Sequence, residues 1–270
     1  MARRVHILQA IAYYAAWLVP WRPVLRVRAR SSRLGFFVHR RDAIGRHIAK
    51  YGAHEPALTH FIAKRLAAAS PGIVIDVGAN FGWHAVHAAR FPAVESMVAF
   101  EPDLFNASLL DRNMAANGIA NAIIYAAAVG ARSGVAQLYR YKASNLGRHS
   151  LIADAGLGSR SVPLIDLDRA LDQLGLAAKP VALLKIDVEG YEPAVIAGAS
   201  RVLERTAVVV LEYSPERSRA GGLSVEKLIT QLQEAGLHPH VLDGAGGLDP
   251  IDTERLRSVD RVIDLIWLRR

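Results

Sequence analysis

Short apolar runs alternate with amphipathic segments along the chain from about residue 70 to its end. The apolar runs are rich in Val, Ile, Leu and Ala, and they have the length of buried strands. Seven of them predict strands, at residues 73–77, 95–100, 122–127, 181–187, 207–213, 238–242 and 262–268. The segments between them have helical periodicity and predict helices at residues 83–90, 104–117, 164–174, 193–205 and 225–235.

Strands that are apolar throughout and separated by helices are typical of a parallel sheet covered on both faces. The last two strands are joined without a clear long helix, which suits an antiparallel final strand. A short β excursion is predicted at residues 134–141, and residues 36–69 have a helical pattern. We therefore predict an α/β fold with a mostly parallel seven-stranded sheet, helices on both faces and an antiparallel last strand.

The first 35 residues differ from the rest of the chain in hydropathy. Residues 5–19 are apolar apart from two polar positions. This run is shorter than the roughly 20 residues that span a bilayer, and no small-residue cleavage site follows it. Two interpretations are favoured, and a spanning or cleaved segment stays open as a third. The run is either a helix lying on a membrane surface, with Trp17 and Trp21 at the headgroup level, or a helix packed on the domain or on a second subunit.

The positive charge of the chain is concentrated at its amino terminus. Residues 1–50 contain eleven Lys or Arg and one acid, Asp42, a net charge of +10, whereas the whole chain carries +8. The remaining residues are therefore slightly acidic. An enzyme that acts on nucleic acid more often carries its basic surface around the site itself. We therefore assign the basic charge to the arm and expect no nucleic-acid partner.

The chain contains no cysteine. This excludes disulfides, thiolate nucleophiles and cysteine-ligated metals, and it agrees with a reducing compartment. We expect a cytoplasmic protein, which lies at the inner face of the membrane if the arm binds lipid.

A glycine-containing turn follows the first strand of the predicted sheet. Gly78, Asn80 and Gly82 stand at alternate positions between that strand and the next helix. Because Gly78 has no side chain and adopts positive φ without strain, a ligand can approach the main chain closely there. The spacing matches neither the G-x-G-x-x-G dinucleotide fingerprint nor the P-loop. The turn is predicted to bind a nucleotide-like cofactor of another kind.

An acid at the end of the second strand indicates which cofactor this is. Glu101 stands at the tip of a parallel strand, where a carboxylate accepts hydrogen bonds from both hydroxyls of a ribose. Together with Asp76 before the glycine turn, this is the layout of an S-adenosylmethionine pocket. We assign Glu101 to the ribose, Asp76 to the methionine amino group and Gly78 to the close main-chain approach. Asn80 is expected to fix the turn or to contact the methionine carboxylate.

Gly82 and Asn106 complete the candidate cofactor-binding residues. Asn106 either reaches the cofactor or lies on the water-facing side of its helix. Adenine is expected against apolar surface near the third strand, where Phe100 and residues 126–129 are candidates.

Four segments together resemble the FkbM family of S-adenosylmethionine-dependent methyltransferases. They are VIDVGANFGWHA at residues 74–85, FEPD at 100–103, SNLGRHSL at 144–151 and KIDVEGYE at 185–192. The resemblance covers roughly residues 51–215, and it is carried by the order and spacing of the segments. It implies a Rossmann-like class I methyltransferase fold. We predict an arm at residues 1–35 and one methyltransferase domain at 36–270, with a cofactor half at about 70–150 and an acceptor half at about 160–270.

The end of the fourth strand carries the candidate catalytic residues. Lys185, Asp187 and Glu189 alternate along the chain, so they project from one face while the strand stays extended. One interpretation is a charge-paired strand end, in which Gly190 makes the turn and Glu192 caps the helix. Given the family resemblance, we favour catalytic roles. The hypothesis is that Asp187 or Glu189 accepts the proton of a substrate hydroxyl as it attacks the sulfonium methyl.

Three further titratable positions have two interpretations each. His149, in the segment SNLGRHSL, is a second base candidate, although a histidine in a polar loop is more often exposed. Glu55 either helps to close the pocket or is a solvated helix-cap acid, which we favour. His84 and His87 have the i, i+3 spacing of metal ligands, but no third ligand is evident, so we expect packing or surface roles.

No metal site is predicted. Mg²⁺ bound by Asp187 with Glu189 or Glu212 stays open as an alternative, because some methyltransferases hold this ion with carboxylates at the end of the fourth strand.

The predicted activity is O-methyl transfer from S-adenosylmethionine to a hydroxyl of a small molecule or glycan. The favoured acceptor is a sugar of a polysaccharide, glycolipid or natural product. One alternative is an RNA methyltransferase that uses the basic arm for phosphate contacts. Another is a non-catalytic S-adenosylmethionine-binding protein, against which the intact acids at the strand ends argue. Whether the chain forms homo-oligomers is left open.

Overall fold

The computed structural model describes residues 7–16, 23–141, 149–152 and 154–269. Its first elements are α1 (Ile7–Ala15), a hairpin of β1 (Val24–Arg28) and β2 (Gly35–His39), α2 (Ala43–Tyr51) and α3 (Pro56–Ala67). The helical prediction for residues 36–69 is wrong for its first residues. Phe36 and Val38 are buried at the strand period of two, and β2 pairs with β1 over its whole length. The hairpin includes residues on both sides of the predicted boundary between arm and domain at residues 35 and 36. The division into arm and domain stays a prediction.

Helix α1 packs on the hairpin and on α2. The Gln9 side-chain amide donates to the main-chain oxygen of Ile48 at 3.2 Å, and the Tyr13 hydroxyl donates to that of Arg40. The opposite side of the helix is exposed, with Leu8 84% exposed and Ile11 60%. Residues Trp17 and Trp21 of the predicted arm helix lie outside the described residues. In the described part of the chain, no helix is both long enough and apolar enough to span a bilayer.

Strands and helices alternate after α3, as predicted. The next elements are β3 (Gly72–Val77), α4 (Trp83–Ala88), β4 (Val94–Phe100), α5 (Leu104–Ala116), β5 (Ala122–Tyr125), β6 (Ala128–Val129), β7 (Gly134–Tyr139), β8 (Ser159–Ile165), α6 (Leu167–Gln173) and β9 (Val181–Ile186). The chain continues with α7 (Glu192–Ala197), α8 (Ser200–Glu204), β10 (Val208–Tyr213), α9 (Pro215–Ala220), α10 (Val225–Glu234), β11 (Leu237–Leu242), β12 (Leu248–Pro250), α11 (Thr253–Arg257) and β13 (Ile263–Arg269).

The central sheet has the strand order β12-β11-β13-β10-β9-β3-β4-β5. Neighbouring strands from β10 to β5 are parallel, whereas β13 is antiparallel to both β10 and β11. The mostly parallel sheet and its antiparallel last strand are therefore confirmed. All seven predicted strands are present, and the short strand β12 adds an eighth by pairing with β11.

Three local predictions differ from the structure. The predicted helix at residues 193–205 is divided into α7 and α8, because Gly198 packs against the main chain of Gly130. The predicted loop at residues 214–222 contains α9. Strand β8, which pairs with β6 and β7 in a separate small sheet, was not predicted, since it begins with three consecutive polar residues and contains Pro163.

Helices cover both faces of the central sheet. Successive residues of β3 point to opposite sides, so Val74 packs in a core with the hairpin and helices α2 to α5. Ile75 packs in a second core with α6, α7, α8 and α10. The carboxyl ends of the parallel strands consequently meet at one edge between the two layers, where ligands bind in open α/β sheets.

Asn113 joins the amino-terminal hairpin to the glycine turn after β3. Its side chain projects from α5 and is fully buried. The amide nitrogen donates to the main-chain oxygens of Phe37 (3.0 Å) and Phe81 (2.7 Å), and the amide oxygen accepts from the Phe37 N–H. Phe37 lies in β2 and Phe81 lies in the turn. One side chain thus holds three elements together.

Replacing Asn113 by alanine is expected to lower the free energy of unfolding by about 2–4 kcal/mol, because main-chain groups of Phe37 and Phe81 lose their partners in a buried position. Urea denaturation followed by circular dichroism measures this. The matched control is Asp111→Ala on the exposed side of the same helix, which should change stability by less than about 0.5 kcal/mol. Equal effects of the two substitutions would refute the bridging role of Asn113.

Candidate active site

Four acids lie at or just beyond the carboxyl ends of neighbouring strands. They are Asp76 on β3, Glu101 after β4, Asp187 after β9 and Glu212 on β10. Two adjoining cavities open at this edge. The Glu101 cavity is lined mainly by apolar residues together with Glu101, and the Glu189 cavity, of about 350 Å³, is lined mainly by polar and charged ones including Glu189. Both cavities are bordered by Gly78, Asn80 and Asp187.

Gly78 occupies the point where the two cavities meet. Its φ is +80°, and a side-chain carbon added there would overlap the main-chain oxygen of Asp187. Its N–H donates to the Phe100 oxygen at 3.0 Å. Glycine is therefore required because the loops after β3 and β9 touch here, a reason that sequence reasoning did not supply.

Asn80 and Gly82 fix the rest of the turn. Asn80 adopts positive φ (+52°), and its side-chain oxygen accepts from the Phe81 N–H at 2.8 Å. Its own N–H donates to Glu101, so the turn and the second strand are linked. Gly82, with φ +91°, lies directly against the Leu110 side chain and does not line either cavity.

Glu101 is held in place by main-chain donors. One carboxylate oxygen accepts from the N–H of Asn80 and the other from the N–H of Asp103, both at 2.8 Å. Each oxygen keeps a second lone-pair position for a ligand in the cavity that the residue lines. Burial raises the pKa of Glu101 to about 7 despite these hydrogen bonds. This arrangement fits a ribose, whose two hydroxyls would donate to the carboxylate.

The walls of the Glu101 cavity are apolar where adenine was expected. Phe100, Ala127, Ala128 and Val129 line it. His149 lines it as well, with its ring 10% exposed and its Nδ1 accepting from the Tyr141 N–H. The interpretation of His149 as an exposed loop residue is therefore wrong, and burial lowers its pKa. Asn145 and Gly147 of the same segment lie outside the described residues.

A buried ion pair connects β3 to β9. The Lys185 ammonium lies 3.3 Å from Asp76 and 3.4 Å from Asp187, and the side chains of Lys185 and Asp76 are 5% and 3% exposed. Burial alone would lower the pKa of Lys185, but the two carboxylates raise it well above its ordinary value, so the ammonium stays charged. The second carboxylate oxygen of Asp76 is buried and has no partner among the described residues.

Glu189 differs from the predicted geometry. Strand β9 ends at Ile186, and Glu189 adopts positive φ (+55°) in the following turn, so the three charged residues do not share one extended face. Arg217 of α9 forms an ion pair with Glu189 and lies 3.8 Å from Glu212. Burial, with the nearby charges of Asp187 and Glu189, raises the pKa of Glu212 to about 9.

Glu55 occupies the N-cap position of α3, as the helix-cap interpretation expected, but its side chain makes no capping hydrogen bond. The side chain instead lines the Glu189 cavity. It contacts His84 Nε2 at 2.7 Å and His54 Nε2 at 3.4 Å in the Glu189 cavity. Burial favours the neutral acid, but the hydrogen bond with His84 holds the pKa of Glu55 below its ordinary value. Burial lowers the pKa of His54 to about 4.

His87 turns away from His84. Its ring nitrogens lie 2.7 Å from the Trp83 oxygen and 3.0 Å from the Ser32 hydroxyl, so it has the packing role expected of it. Asn106 is buried near the start of α5, where its N–H donates to Asp103, and it lines neither cavity.

Sequence reasoning missed Arg217 and the partnership of Glu55 with His84. Arg217 follows Glu189 by 28 residues in a segment predicted as a loop, and no local pattern connects the two. His84 gave one signal, since a histidine in the first turn after the glycines has its side chain near the strand ends. The assigned roles of all candidate residues stay predictions, including those of Asp187 and Glu189.

The family model described as the methyltransferase FkbM domain matches residues 76–239, more than half of the chain. The matched stretch begins at Asp76 and ends in β11, and it includes the glycine turn, Glu101 and Asp187. The match confirms the family resemblance, the class I methyltransferase fold and S-adenosylmethionine as the cofactor. No curated protein matches the chain at a significant level.

Several solved structures show weak likeness to the chain. A precorrin-6y C5,15-methyltransferase from Geobacter metallireducens is 12% identical, with 78% of this chain and 87% of that chain covered and a TM-score of 0.42. An O-methyltransferase from Bacillus cereus in complex with SAH is 10% identical, with 80% and 83% covered and a TM-score of 0.42. The N-terminal domain of EvdMO1, in the presence of SAH and D-fucose, is 16% identical, with 81% and 83% covered and a TM-score of 0.44.

Affinity for S-adenosylmethionine is expected to fall as the pH is lowered through the pKa of Glu101, about 7 in the free protein. Below this pKa the acid is mostly neutral and accepts ribose hydrogen bonds less well, so affinity should fall by up to about tenfold per pH unit. Glu101→Gln should weaken binding at least about tenfold at pH 8 and flatten the pH dependence. Isothermal titration calorimetry measures both quantities.

The control for Glu101→Gln is Glu95→Gln, at the exposed opposite end of β4, which should bind the cofactor like the unmodified protein. A pH-independent affinity in the unmodified protein would contradict the assignment of Glu101 to the ribose.

Proposed function

The chain belongs to the methyltransferase FkbM domain family, and from this membership we propose that it is an O-methyltransferase acting on a hydroxyl of a sugar or a similar polar small molecule. The observation that carries the proposal is the junction of the two cavities. One is apolar and suits adenosine, the other is polar and charged, and they meet beside the Asp187 carboxylate.

The Glu101 cavity is the proposed cofactor site. Glu101 accepts the ribose hydroxyls, and the apolar wall from Phe100 to Val129 contacts adenine. Asp76, the residue predicted to accept the methionine ammonium, lines neither of the two cavities, and its buried oxygen without a partner among the described residues borders a small internal cavity instead. Bound S-adenosylmethionine supplies a methyl group on a positively charged sulfur, which is a good leaving group. The protein therefore contributes mainly positioning and proton removal.

The Glu189 cavity is the proposed acceptor site. Its volume of about 350 Å³ lies within the usual range for small-molecule sites. Carboxylates, histidines and an arginine line it. Such groups form hydrogen bonds with a polyhydroxylated ring, which an apolar ring cannot form. This lining supports a sugar hydroxyl as the methyl acceptor.

Asp187 is proposed as the general base. Its side chain is 34% exposed and borders both cavities, so a hydroxyl in the acceptor site can approach it. The Lys185 ammonium on its other side orients the carboxylate. Glu189, the other candidate, is paired with Arg217, and we propose that it shapes the acceptor site and holds that arginine. Asp187 thus accepts the hydroxyl proton as the oxygen attacks the methyl carbon.

Replacing Asp187 by asparagine should lower kcat about 100-fold while the affinity for S-adenosylmethionine changes less than about threefold, because the amide keeps the shape but cannot take the proton. Methyl transfer from radiolabelled cofactor to sugar acceptors measures kcat, and calorimetry measures affinity. Asp249→Asn on the exposed strand β12 is the control and should keep full activity. Undiminished turnover in Asp187→Asn would remove Asp187 from the mechanism.

The natural acceptor is proposed to be a lipid-linked or cell-surface glycan. The exposed apolar side of α1, formed by Ile7, Leu8 and Ile11, supports this, since it suits contact with a membrane at which such acceptors are presented. Lys50 of α2 lies near Tyr14 of α1, which adds a cation near this surface. Mass spectrometry of cellular glycans and lipids with and without the protein tests the acceptor, and the expected result is the loss of one methyl group per sugar.

Leu8→Asp in the full chain should weaken binding to vesicles that contain anionic lipid roughly tenfold, because it removes an apolar anchor and adds repulsion. Co-sedimentation with vesicles measures the change. Val135→Asp, at a residue of β7 that is also highly exposed (71%), is the control and should bind as the unmodified protein does. If the unmodified chain does not sediment with vesicles, the membrane proposal is wrong.

A further inference from the structure

Two histidines and a glutamate converge on one point in the wall of the Glu189 cavity. His84 Nε2 lies 2.7 Å from one Glu55 oxygen, and His54 Nε2 lies 3.4 Å from the other. One ligand atom from each residue lies within 4.8 Å of those of the other two. His54 and Glu55 precede α3, and His84 projects from α4. Residues far apart in sequence thus meet beside the proposed acceptor site.

We propose that His54, Glu55 and His84 bind a divalent transition-metal ion of the zinc type. Two histidines and one glutamate are a ligand set used for such ions. Ligands about 2.1 Å from a metal stand roughly 3.0–3.4 Å from one another. The His54–Glu55 separation of 3.4 Å agrees with this, whereas the His84–Glu55 separation of 2.7 Å would widen slightly to admit an ion. In the described residues this is the one cluster of three or more such ligand atoms. The carboxylates of Asp187 and Glu189, by contrast, are paired with Lys185 and Arg217.

The surroundings of His84 support a metal ligand. Its Nδ1 is buried and has no hydrogen-bond partner among the described residues, and the same is true of one oxygen of Asp76. Both residues line a small internal cavity behind the cluster. Histidines that ligate metals usually place the other ring nitrogen toward a carboxylate, directly or through water. A water molecule in this small cavity would link Nδ1 of His84 to the Asp76 carboxylate, while Nε2 of His84 faces Glu55.

The charge of the Glu189 cavity also favours a cation. Of the four carboxyl groups that line it, that of Glu212 is mostly neutral at pH 7 because its pKa is raised to about 9, and the carboxylates of Glu55, Asp187 and Glu189 face the two cations Lys185 and Arg217. Asp264, on β13, adds a further acid close enough to Glu55 and Asp187 to interact with them. Both cations are already paired with carboxylates other than Glu55. A divalent ion at Glu55 would offset the remaining negative charge.

The position of the cluster suggests what the ion does, and this step rests on the proposed O-methyl transfer. Three protein ligands leave a coordination position open, as in catalytic zinc sites. That position faces the cavity that Asp187 also borders. An acceptor hydroxyl bound there would be oriented by the ion and would lose its proton to Asp187 more easily than in water.

The test uses the untagged full-length protein, freed of metal with a chelator. Titration with Co²⁺ should give the visible absorption of a nitrogen- and oxygen-ligated ion, and Zn²⁺ should displace it with one ion per chain by elemental analysis. His54→Ala and Glu55→Gln should each weaken Co²⁺ binding at least about tenfold. His84→Ala should also weaken Co²⁺ binding at least about tenfold. Because His84 is buried, the folding of this variant is checked by circular dichroism.

The matched control is His60→Ala, an exposed histidine on the neighbouring helix α3 that is not part of the cluster, and it should bind Co²⁺ normally. Absence of a Co²⁺ spectrum in the unmodified protein, or unchanged affinity in both His54→Ala and Glu55→Gln, would overturn the site. Cofactor affinity and methyl transfer are measured on the same samples. If methyl transfer is equal with and without the ion, the proposed role of the metal is wrong, but O-methyl transfer stands. If the protein binds Co²⁺ normally but transfers no methyl group, only the proposed function is wrong.

Discussion

The buried ion pair between Asp76 and Lys185 is the constraint on which the site depends. The two residues are direct partners in the register of β3 and β9, so the pairing of these strands brings the charges together. Removing either partner would leave an uncompensated buried charge, which typically costs about 3–5 kcal/mol. The ammonium also reaches Asp187, so one cation joins the strand next to the glycine turn to the proposed base. A slip of the strand register would separate Asp76 from Lys185 and Asp187.

Around this pair, burial sets the protonation states of the neighbouring acids differently. Glu101 has main-chain donors on both oxygens and a pKa of about 7, whereas Glu212 lies among other carboxylates and has a pKa of about 9. Glu212 is therefore mostly neutral at pH 7 and can donate a hydrogen bond, while Glu101 is about half ionised before the cofactor arrives. Acids of similar intrinsic strength thus acquire separate roles from their surroundings.

The parts of the fold that follow from local pattern were predictable, and the contacts between distant segments were not. The strand, glycine turn and helix around Gly78 stand in one short stretch, and the sheet topology followed from the alternation of apolar strands and helices. The pairing of Glu189 with Arg217, and that of Glu55 with His84, requires segments that only the folded chain brings together. Residues 36–39 were misassigned because the run from Phe36 to Val38 is apolar throughout and too short to distinguish a strand from a helix start by its periodicity.

The contact at Gly78 has a mechanical consequence. The main chain of the turn after β3 rests against the Asp187 oxygen with no room for a methyl group between them, so neither loop can shift without pushing the other. Occupancy of the adenosine side would therefore be transmitted to the loop that carries the base as a displacement of the backbone. Because Gly78 has no side chain, the two loops lie in direct contact and the two halves of the site move together. An alanine at this position would force the loops apart.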